Sequence, residues 1–214
     1  MAQAVKRRYD STRRQAQAAA TRLEILQAAR RLFEQQGYAA TTMAAIAAEA
    51  GVALKTVYVA FETKGGVLRA LWNLLLRGDE GDVPIPQRQW YLDVLAEADP
   101  ERKLRLGAHN SRLVKERICP IFAVIHDAAQ VDPAVEELRQ RIEREFYDNQ
   151  KAIVETLQRK RALKRGLDVE RATDILWTLN HPDIWQLLVG QRGWSPDDYE
   201  RWFADTACEQ LLKR

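Results

Sequence analysis

The segment GVALKTVYVAF, residues 51–61, places the tightest restriction on the fold of this chain. Its apolar residues are spaced as in a helix, but isolated helices shorter than about 12–15 residues are marginal in water. We therefore expect this helix to exist only because neighbouring helices hold it. Val57 and Phe61 lie four residues apart and are predicted to pack inward against those neighbours.

The segments on either side also show helical spacing. Residues 21–36 carry one wide apolar stripe, and Gly37 is predicted to end that helix. Thr41 and Thr42 offer oxygens that can cap a second helix, which ends at the glycine of the short segment. A fourth helix is predicted from about 64 to 77. No segment shows the alternation of a half-buried strand, so the predicted fold class is all-α.

Two short helices joined by a glycine turn behind a longer helix are typical of the helix-turn-helix motif. The second helix of that motif enters the major groove of DNA. Lys55, Tyr58 and Val59 would then form its outward face. Lys55 can donate to guanine or phosphate, Tyr58 suits a phosphate oxygen, and Leu54 or Val59 can touch a thymine methyl group. The alternative is that Tyr58 and Leu54 are ordinary core residues of a helical bundle.

Residues 21–77 resemble the DNA-binding domain of the TetR family of bacterial transcriptional regulators. The matching run is RLEILQAARRLFEQQGYAATTMAAIAAEAGVALKTVYVAFETKGGVLRAL. It carries the pattern Phe-x-x-x-Gly-Tyr, a Thr-rich entry, Ile-Ala-x-x-Ala-Gly-Val, Thr-Val-Tyr and Phe-x-x-Lys. Residues 172–212 resemble, more faintly, the C-terminal helices of one TetR subgroup. The resemblance implies an N-terminal three-helix helix-turn-helix domain and a C-terminal helical ligand-binding and dimerisation domain.

The resemblance also implies roles for single residues. Thr42 and Lys64 match positions that hold phosphates, and Lys55, Thr56 and Tyr58 match groove-facing positions.

The chain departs from the family pattern at three places, which bear on affinity and operator sequence. Ala53 lacks the capping oxygen that is usual at the start of the recognition helix. Ala60 stands where the family often has His, and Gly65–Gly66 replace an acid and a helix former.

The N-terminal region is basic. Residues 1–70 carry eleven Lys and Arg against five Asp and Glu, and since the whole chain has a net charge of +3, the remainder sums to −3. A basic arm at 1–20 suits sequence-independent contact with phosphates, although a solvated tail has the same composition. The complete set of predicted DNA-contacting residues is Thr41, Thr42, Ala53, Leu54, Lys55, Thr56, Tyr58, Val59, Lys64, Arg13, Arg14 and Arg22.

The segment RGDEGDVPIPQRQ, residues 77–89, combines two Gly, two Pro and three acids and is the predicted domain boundary. It separates the DNA-binding domain, 21–77, from an effector-binding and dimerisation domain, 78–214. Pro120 is expected in the first turn of a helix, whereas Pro182 is expected to kink or break one. The helices predicted in this half cover about 88–98, 101–117, 120–130, 133–163, 169–190 and 196–212.

Polar and aromatic residues inside these apolar helices are the candidate ligand contacts, because a buried polar group needs a partner. Each of them has the alternative of being an ordinary structural residue. The candidates are Trp90, His109, Asn110, His126, Phe146, Asn149, Trp177, Asn180 and His181.

A homodimer is expected, because one short recognition helix reads few bases and a two-fold dimer reads two half-sites. The last two predicted helices are apolar on more than one side, which requires a covering partner. The predicted interface residues are Ile175, Leu179, Leu187, Leu188, Phe203 and Leu211. A ligand that prefers one conformation would then alter the spacing of the two recognition helices and lower the affinity for a palindromic operator.

Other classes of function have less support in the sequence. It contains no Glu-x-x-His pair, phosphate-binding loop, nucleophile elbow or zinc spacing, so we expect neither an enzyme nor a cofactor or metal. A module that binds small molecules or proteins and has weak or lost DNA binding is the alternative. Cys119 and Cys208 are expected to be free thiols of a cytoplasmic protein, because no membrane span or export signal is found. The sequence does not identify the effector, the operator or the sign of regulation.

Overall fold

The computed structural model describes residues 2–78 and 83–213, and the side chains of 13–78 and 83–213. The described residues contain no strand, only one isolated antiparallel bridge between Leu163 and Leu212, so the all-α prediction is confirmed. A 3₁₀ turn covers Ile85–Gln87 and a π-helical segment covers Gln186–Gln191. The α-helices are α1 (Ala2–Ala40), α2 (Met43–Glu49), α3 (Leu54–Phe61), α4 (Lys64–Arg77), α5 (Gln89–Ala96), α6 (Pro100–Ala128), α7 (Pro133–Arg159), α8 (Val169–Leu179), α9 (Pro182–Trp185) and α10 (Pro196–Leu211).

The described chain divides into two compact units. The first unit contains the chain up to Asn73 together with Ala123–Glu136, and the second contains Leu74–Phe122 and Glu137–Arg214. Nothing in the sequence indicated that the turn between α6 and α7 belongs with the N-terminal helices. The predicted domains, 1–20, 21–77 and 78–214, remain predictions.

The first unit encloses the inward face of α3. Val57 and Phe61 are 0% and 6% exposed, as their spacing predicted. The second helix, α2, contacts both α1 and α3, and its Ile46 is fully buried. The bounds of α4 match the prediction, whereas α3 covers only the last eight residues of the segment 51–61, because the chain first turns at Gly51.

The first helix is longer than predicted. It begins at Ala2 rather than near residue 21, so the basic arm continues α1 as a helix. Gly37 interrupts it with φ 75° and ψ 177°, which confirms the predicted stop as a break. The left-handed φ explains why glycine stands there. The side chains of residues 1–12, including the first basic ones of the arm, lie outside the described residues.

Pro120 corrects the prediction for α6. It lies inside one continuous helix, not in the first turn of a separate one. An interior proline removes a backbone N–H and ordinarily costs about 3 kcal/mol. Its neighbours Ile118, Cys119, Ile121 and Phe122 are all at most 5% exposed, and we attribute the continuity of the helix to their burial.

The prediction for Pro182 is confirmed. Helix α8 ends at Leu179 and α9 begins at Pro182, so the predicted helix over 169–190 is broken there. His181 lies at the break and caps α9, since its Nδ1 accepts a hydrogen bond from the Asp183 N–H at 3.2 Å. The chain then passes through the π-helical segment to Ser195, which caps α10 through its side chain.

Candidate DNA-reading helix and effector site

Helix α3 exposes the side chains of Leu54, Lys55, Thr56, Tyr58 and Val59. We call four of them the reading face: Leu54, Lys55, Tyr58 and Val59. The exposed fractions of Leu54, Tyr58 and Val59 are 41%, 48% and 77%, and Lys55 is also exposed. Large apolar side chains exposed next to a lysine match the mixture needed for thymine methyl groups and phosphates. The alternative that Leu54 and Tyr58 are core residues is wrong, because both side chains face solvent.

The turn before α3 sets the direction of this helix. Thr42 caps α2, as predicted, by accepting a hydrogen bond from the Ala45 N–H at 3.0 Å. Gly51 has a left-handed φ of 67°, and the Val52 N–H then returns to the Ala47 carbonyl at 3.0 Å. Ala53 precedes α3 without any side-chain cap, as its side chain dictates.

Arg22 holds the other end of α3. Its guanidinium donates to the Ala60 carbonyl at 2.7 Å and lies 4.1 Å from the centre of the Phe61 ring. A cation at the C-terminal end of a helix is favourable, because the last carbonyls carry partial negative charge. Arg22 therefore braces the reading helix, which the prediction of a DNA contact had not foreseen.

Thr41 and Lys64 also make internal contacts. Thr41 is fully buried, and its hydroxyl donates to the Gly37 carbonyl at 2.8 Å, so its predicted DNA contact is wrong. The Lys64 ammonium donates to the carbonyls of Tyr38 and Thr41 at 2.7 and 2.9 Å. Burial lowers the pKa of Lys64, an effect that Asp132 partly offsets. Two of its three N–H donors are thus engaged, and a phosphate contact can use only the third.

The remaining residues predicted to meet DNA lie on the surface. Ala53 and Thr56 are exposed at the start of α3, and Arg13 and Arg14 are exposed on α1. Their contacts with DNA remain predictions.

Three polar candidates in the second half do not line a common site. His109 is exposed and lies 3.2 Å from a carboxylate oxygen of Glu200. Asn110 donates to the Trp90 carbonyl at 3.0 Å, a structural role. His126 is exposed and belongs to the first unit, so its predicted effector contact in the second unit is not supported.

Trp90 and Asn149 flank Tyr91. The Tyr91 hydroxyl donates to the Asn149 carbonyl at 2.8 Å, and the Trp90 and Tyr91 rings meet edge to face. These contacts join α5 to α7 through ordinary packing.

The structure does bring Asn180 into a buried polar cluster, which we define as Ser111, Lys115, Gln150 and Asn180. The Asn180 side-chain oxygen accepts hydrogen bonds from Ser111 and Lys115, and its amide donates to Gln150 at 3.2 Å. Lys115 also donates to the Ser111 hydroxyl at 2.5 Å. Lys115 is only 3% exposed, and burial lowers its pKa to about 7. The sequence prediction missed Lys115 because lysine is rarely buried; its signal was its position among the apolar residues of α6.

A second group, the aromatic cluster, consists of Phe122, Phe146, Trp177 and His181. The ring centres of Phe122, Phe146 and Trp177 lie 5.9, 6.1 and 4.9 Å from that of His181. His181 Nε2 lies 3.5 Å from a Glu143 oxygen. The predicted residues Phe146, Trp177, Asn180 and His181 are thus neighbours, whereas Phe122 and Glu143 were missed.

Two of the predicted dimer residues are internal. Phe203 and Leu211 are 2% and 0% exposed inside the second unit, so their predicted place in a dimer interface is wrong. Leu187 is 47% exposed, and Ile175, Leu179 and Leu188 are half-buried. Trp194, which was not predicted, is 36% exposed close to Leu187 in the sequence.

Both cysteines are free thiols, as predicted. Burial raises the pKa of Cys119 to about 12 and that of Cys208 to about 11, which opposes formation of the reactive thiolate. Across the part of the chain that the structure describes, no three His, Cys, Asp or Glu side chains are grouped to hold a metal. Over the same residues no single helix is long and apolar enough to cross a membrane; α2 and α3 reach that length and composition only as a pair bent by 113°.

Comparison with known proteins gives one family match and relatives that are similar over most of the chain. Residues 25–71 match the model of the family described as bacterial regulatory proteins, tetR family. Over 202 residues the chain is 30% identical to a probable HTH-type transcriptional regulator, ArpR of Pseudomonas putida, with 89% of this chain and 91% of that protein covered.

Two solved structures have the same fold. The SmeT–triclosan complex superposes with a TM-score of 0.72 at 22% identity, covering 91% of this chain and 92% of the other. NalD of Pseudomonas aeruginosa, the secondary repressor of the MexAB-OprM multidrug efflux pump, gives a TM-score of 0.69 at 22% identity. It covers 92% of this chain and 98% of its own.

Proposed function

Because the chain belongs to the TetR family of bacterial transcriptional regulators, we propose that it is a repressor that binds a palindromic operator as a homodimer and leaves it when a small molecule binds. Family membership makes it a transcriptional regulator rather than an enzyme. The family also has DNA and small-molecule effectors as its partners, and NalD is itself a repressor. A cytoplasmic location follows from this proposal.

The observation that carries the proposal is the reading face of α3. Lys55, Tyr58 and Val59 project from a helix whose opposite side is fully buried through Val57. Its two ends are held by backbone hydrogen bonds and by Arg22. A short helix fixed in this way can enter a major groove without unfolding.

Dimerisation is supported by geometry and by exposed apolar surface. One α3 reads few base pairs, whereas two copies related by a two-fold axis read half-sites about 34–36 Å apart. Leu187 and Trp194 expose 47% and 36% of their surfaces, and α8 adds the half-buried Ile175 and Leu179. We propose that these residues meet their counterparts in a second copy.

The proposal is tested by a gel shift with DNA from the region upstream of the protein's own coding sequence, at two salt concentrations. The wild-type protein should shift this DNA and bind more weakly at the higher salt, because phosphate contacts release counterions. Lys55→Ala should weaken specific binding by roughly 1–3 kcal/mol if it reads a base. Lys151→Ala, which removes an exposed lysine from α7, is the matched control and should bind like the wild type.

Two results would favour the alternative of an interaction module. One is the absence of any shift by a folded dimer, and the other is binding without salt dependence. The uncapped Ala53 is the observation behind that alternative, since a missing cap weakens a helix end by about 1 kcal/mol.

A further inference from the structure

Lys115 is a buried amine without a carboxylate partner in the described part of the chain. It is 3% exposed and forms no salt bridge with any described residue. Its hydrogen bonds go to the Ser111 hydroxyl and the Asn180 side-chain oxygen, both uncharged. A buried charge is costly unless it is paired, and neutral acceptors compensate only part of that cost. The second unit therefore contains a buried amine whose protonated form an anion would stabilise.

The buried polar cluster and the aromatic cluster lie on the same faces of three helices. On α6, Phe122 follows Lys115 by two turns, and on α7, Gln150 follows Phe146 by one turn. At the end of α8, Asn180 directly precedes His181. The buried polar cluster, which contains the Lys115 amine, and the aromatic cluster therefore follow each other along one strip of these helix faces.

Trp177 adds an unused donor to this strip. Its indole Nε1 is buried without any hydrogen-bond acceptor in the described structure, although its ring lies 4.9 Å from His181. A buried N–H without an acceptor is unfavourable and is explained when a ligand supplies the acceptor.

Two carboxylates approach His181 of the aromatic cluster: an Asp183 oxygen lies 3.3 Å from Nδ1, and Glu143 approaches the other ring nitrogen. Glu143 lies 3.5 Å from Nε2 of His181. Both carboxylates thus approach the imidazole of His181, and neither forms a salt bridge with Lys115.

From these contacts we propose that the effector is a small aromatic molecule bearing an anionic group, whose charge pairs with Lys115 and whose ring packs against Phe122, Phe146 and Trp177. This inference rests on the proposed function, because it assigns the chemistry of the effector that the regulator senses. The anion supplies the missing counter-charge and the aromatic cluster supplies apolar contact.

The test uses the whole chain and three naphthalene probes that differ in charge: 2-naphthoate, 2-naphthamide and 2-naphthylmethylammonium. Binding is measured by calorimetry and by quenching of tryptophan fluorescence. The carboxylate should bind about tenfold or more tightly than the amide, because a charge-assisted hydrogen bond is about twice as strong as a neutral one. The ammonium probe should bind most weakly.

Variants assign the effect to Lys115. Lys115→Met should lower the affinity for 2-naphthoate to that for the amide. Lys103→Met removes another buried lysine, whose ammonium donates to the carbonyls of Val94 and Leu95, and should leave the preference unchanged. If Lys115→Met does not fold, Trp177→Phe keeps an aromatic ring, although a smaller one, loses the N–H and should weaken 2-naphthoate binding about threefold or more.

Three outcomes overturn the inference: equal binding of carboxylate and amide, preference for the ammonium probe, or no saturable binding of 2-naphthoate to folded wild-type protein. The gel shift separates this failure from failure of the proposed function. If the protein binds DNA but shows no preference for the carboxylate, only the proposed chemistry of the effector is wrong. If it binds the carboxylate but not DNA, the ligand site stands and the proposed repressor function is wrong.

Discussion

The Tyr38 hydroxyl donates a 2.5 Å hydrogen bond to the Asp132 carboxylate, which joins the end of α1 to the turn between α6 and α7. The other oxygen of Asp132 accepts the Ala134 N–H at 3.0 Å and so fixes the start of α7. Burial and the adjacent carboxylate raise the pKa of Tyr38 above its usual range, so the hydroxyl keeps its proton and remains a donor. Two parts of the first unit that are distant in sequence are thereby joined.

Tyr38→Phe should lower the free energy of unfolding by roughly 1.5–3 kcal/mol, because it removes a hydrogen bond to a charged group. Urea unfolding at neutral pH measures the loss. Tyr147→Phe is the control, since its hydroxyl makes a longer 3.2 Å bond to Asp174 near the surface. Equal losses in the two variants would contradict the importance we assign to the Tyr38–Asp132 contact.

Gly66→Ala should destabilise the first unit by about 1–3 kcal/mol through overpacking. A Cβ atom at Gly66 would lie 2.2 Å from the Phe61 carbonyl oxygen, so α3 and α4 would have to move apart. DNA affinity should fall with stability, because the end of the reading helix shifts. Gly107→Ala in α6 is the control: its Cβ would meet Val94 at 3.8 Å, and a helical alanine is favoured over glycine by about 1 kcal/mol. A stable, fully DNA-binding Gly66→Ala protein would show that this close approach is unimportant.

Arg13 and Arg22 should respond differently to replacement by glutamine. Arg22→Gln should cost about 1 kcal/mol of stability, because it loses the Ala60 and Phe61 contacts, and should leave the salt dependence of DNA binding unchanged. Arg13→Gln should leave stability unchanged and reduce the slope of log K against log salt by about one per subunit, if Arg13 contacts a phosphate. Unfolding curves and salt titrations of both variants measure these two effects. A reduced slope in Arg22→Gln would show that Arg22 contacts DNA, as the sequence predicted.

Lys115 should make stability depend on pH. Its pKa is lowered from 10.5 to about 7 by burial, so between these values the unfolded chain binds the proton that the folded chain has released. Stability therefore rises with pH in this window, by about 2 kcal/mol between pH 7 and pH 9. Below pH 7 Lys115 is charged in both the folded and the unfolded chain, and the folded chain bears the full cost of burying that charge.

Comparison of urea unfolding at pH 7 and pH 9 isolates this effect. The rise should be about 2 kcal/mol smaller in Lys115→Met than in the wild type. Lys103→Met tests for a separate contribution, because burial lowers the pKa of Lys103 to about 8. An unchanged rise in Lys115→Met would mean that Lys115 does not carry the titration.

Much of the first unit could be predicted because its signals are local. The spacing of Val57 and Phe61 fixed the inward face of α3, and Thr42 and Gly51 marked the ends of α2. The different positions of Thr41 and Thr42 could not be predicted in the same way. Both carry a hydroxyl that can cap a helix, and only the path of the chain after Gly37 places Thr41 inside and Thr42 at the surface.

Prediction in the second unit failed where a partner comes from a distant element. Phe203 and Phe146 are both apolar residues in helices, but only Phe203 is completely buried. The sequence alone does not show which neighbours bury it. Lys115 was missed for a related reason, because its acceptors are split between α6 and the end of α8. Pro120 was misplaced since the burial of its neighbours, not its own preference, decides the course of α6.

The discontinuous composition of the first unit limits how such regulators can exchange parts. A chimaera that joins residues 1–77 of this chain to the remainder of a relative would receive a foreign turn in place of Ala123–Glu136. If that turn lacks an acid at the position of Asp132, the Tyr38 hydroxyl loses its acceptor. An intact DNA-binding unit in this chain therefore needs two separate stretches of the gene, and recombination between them can separate Tyr38 from its acceptor.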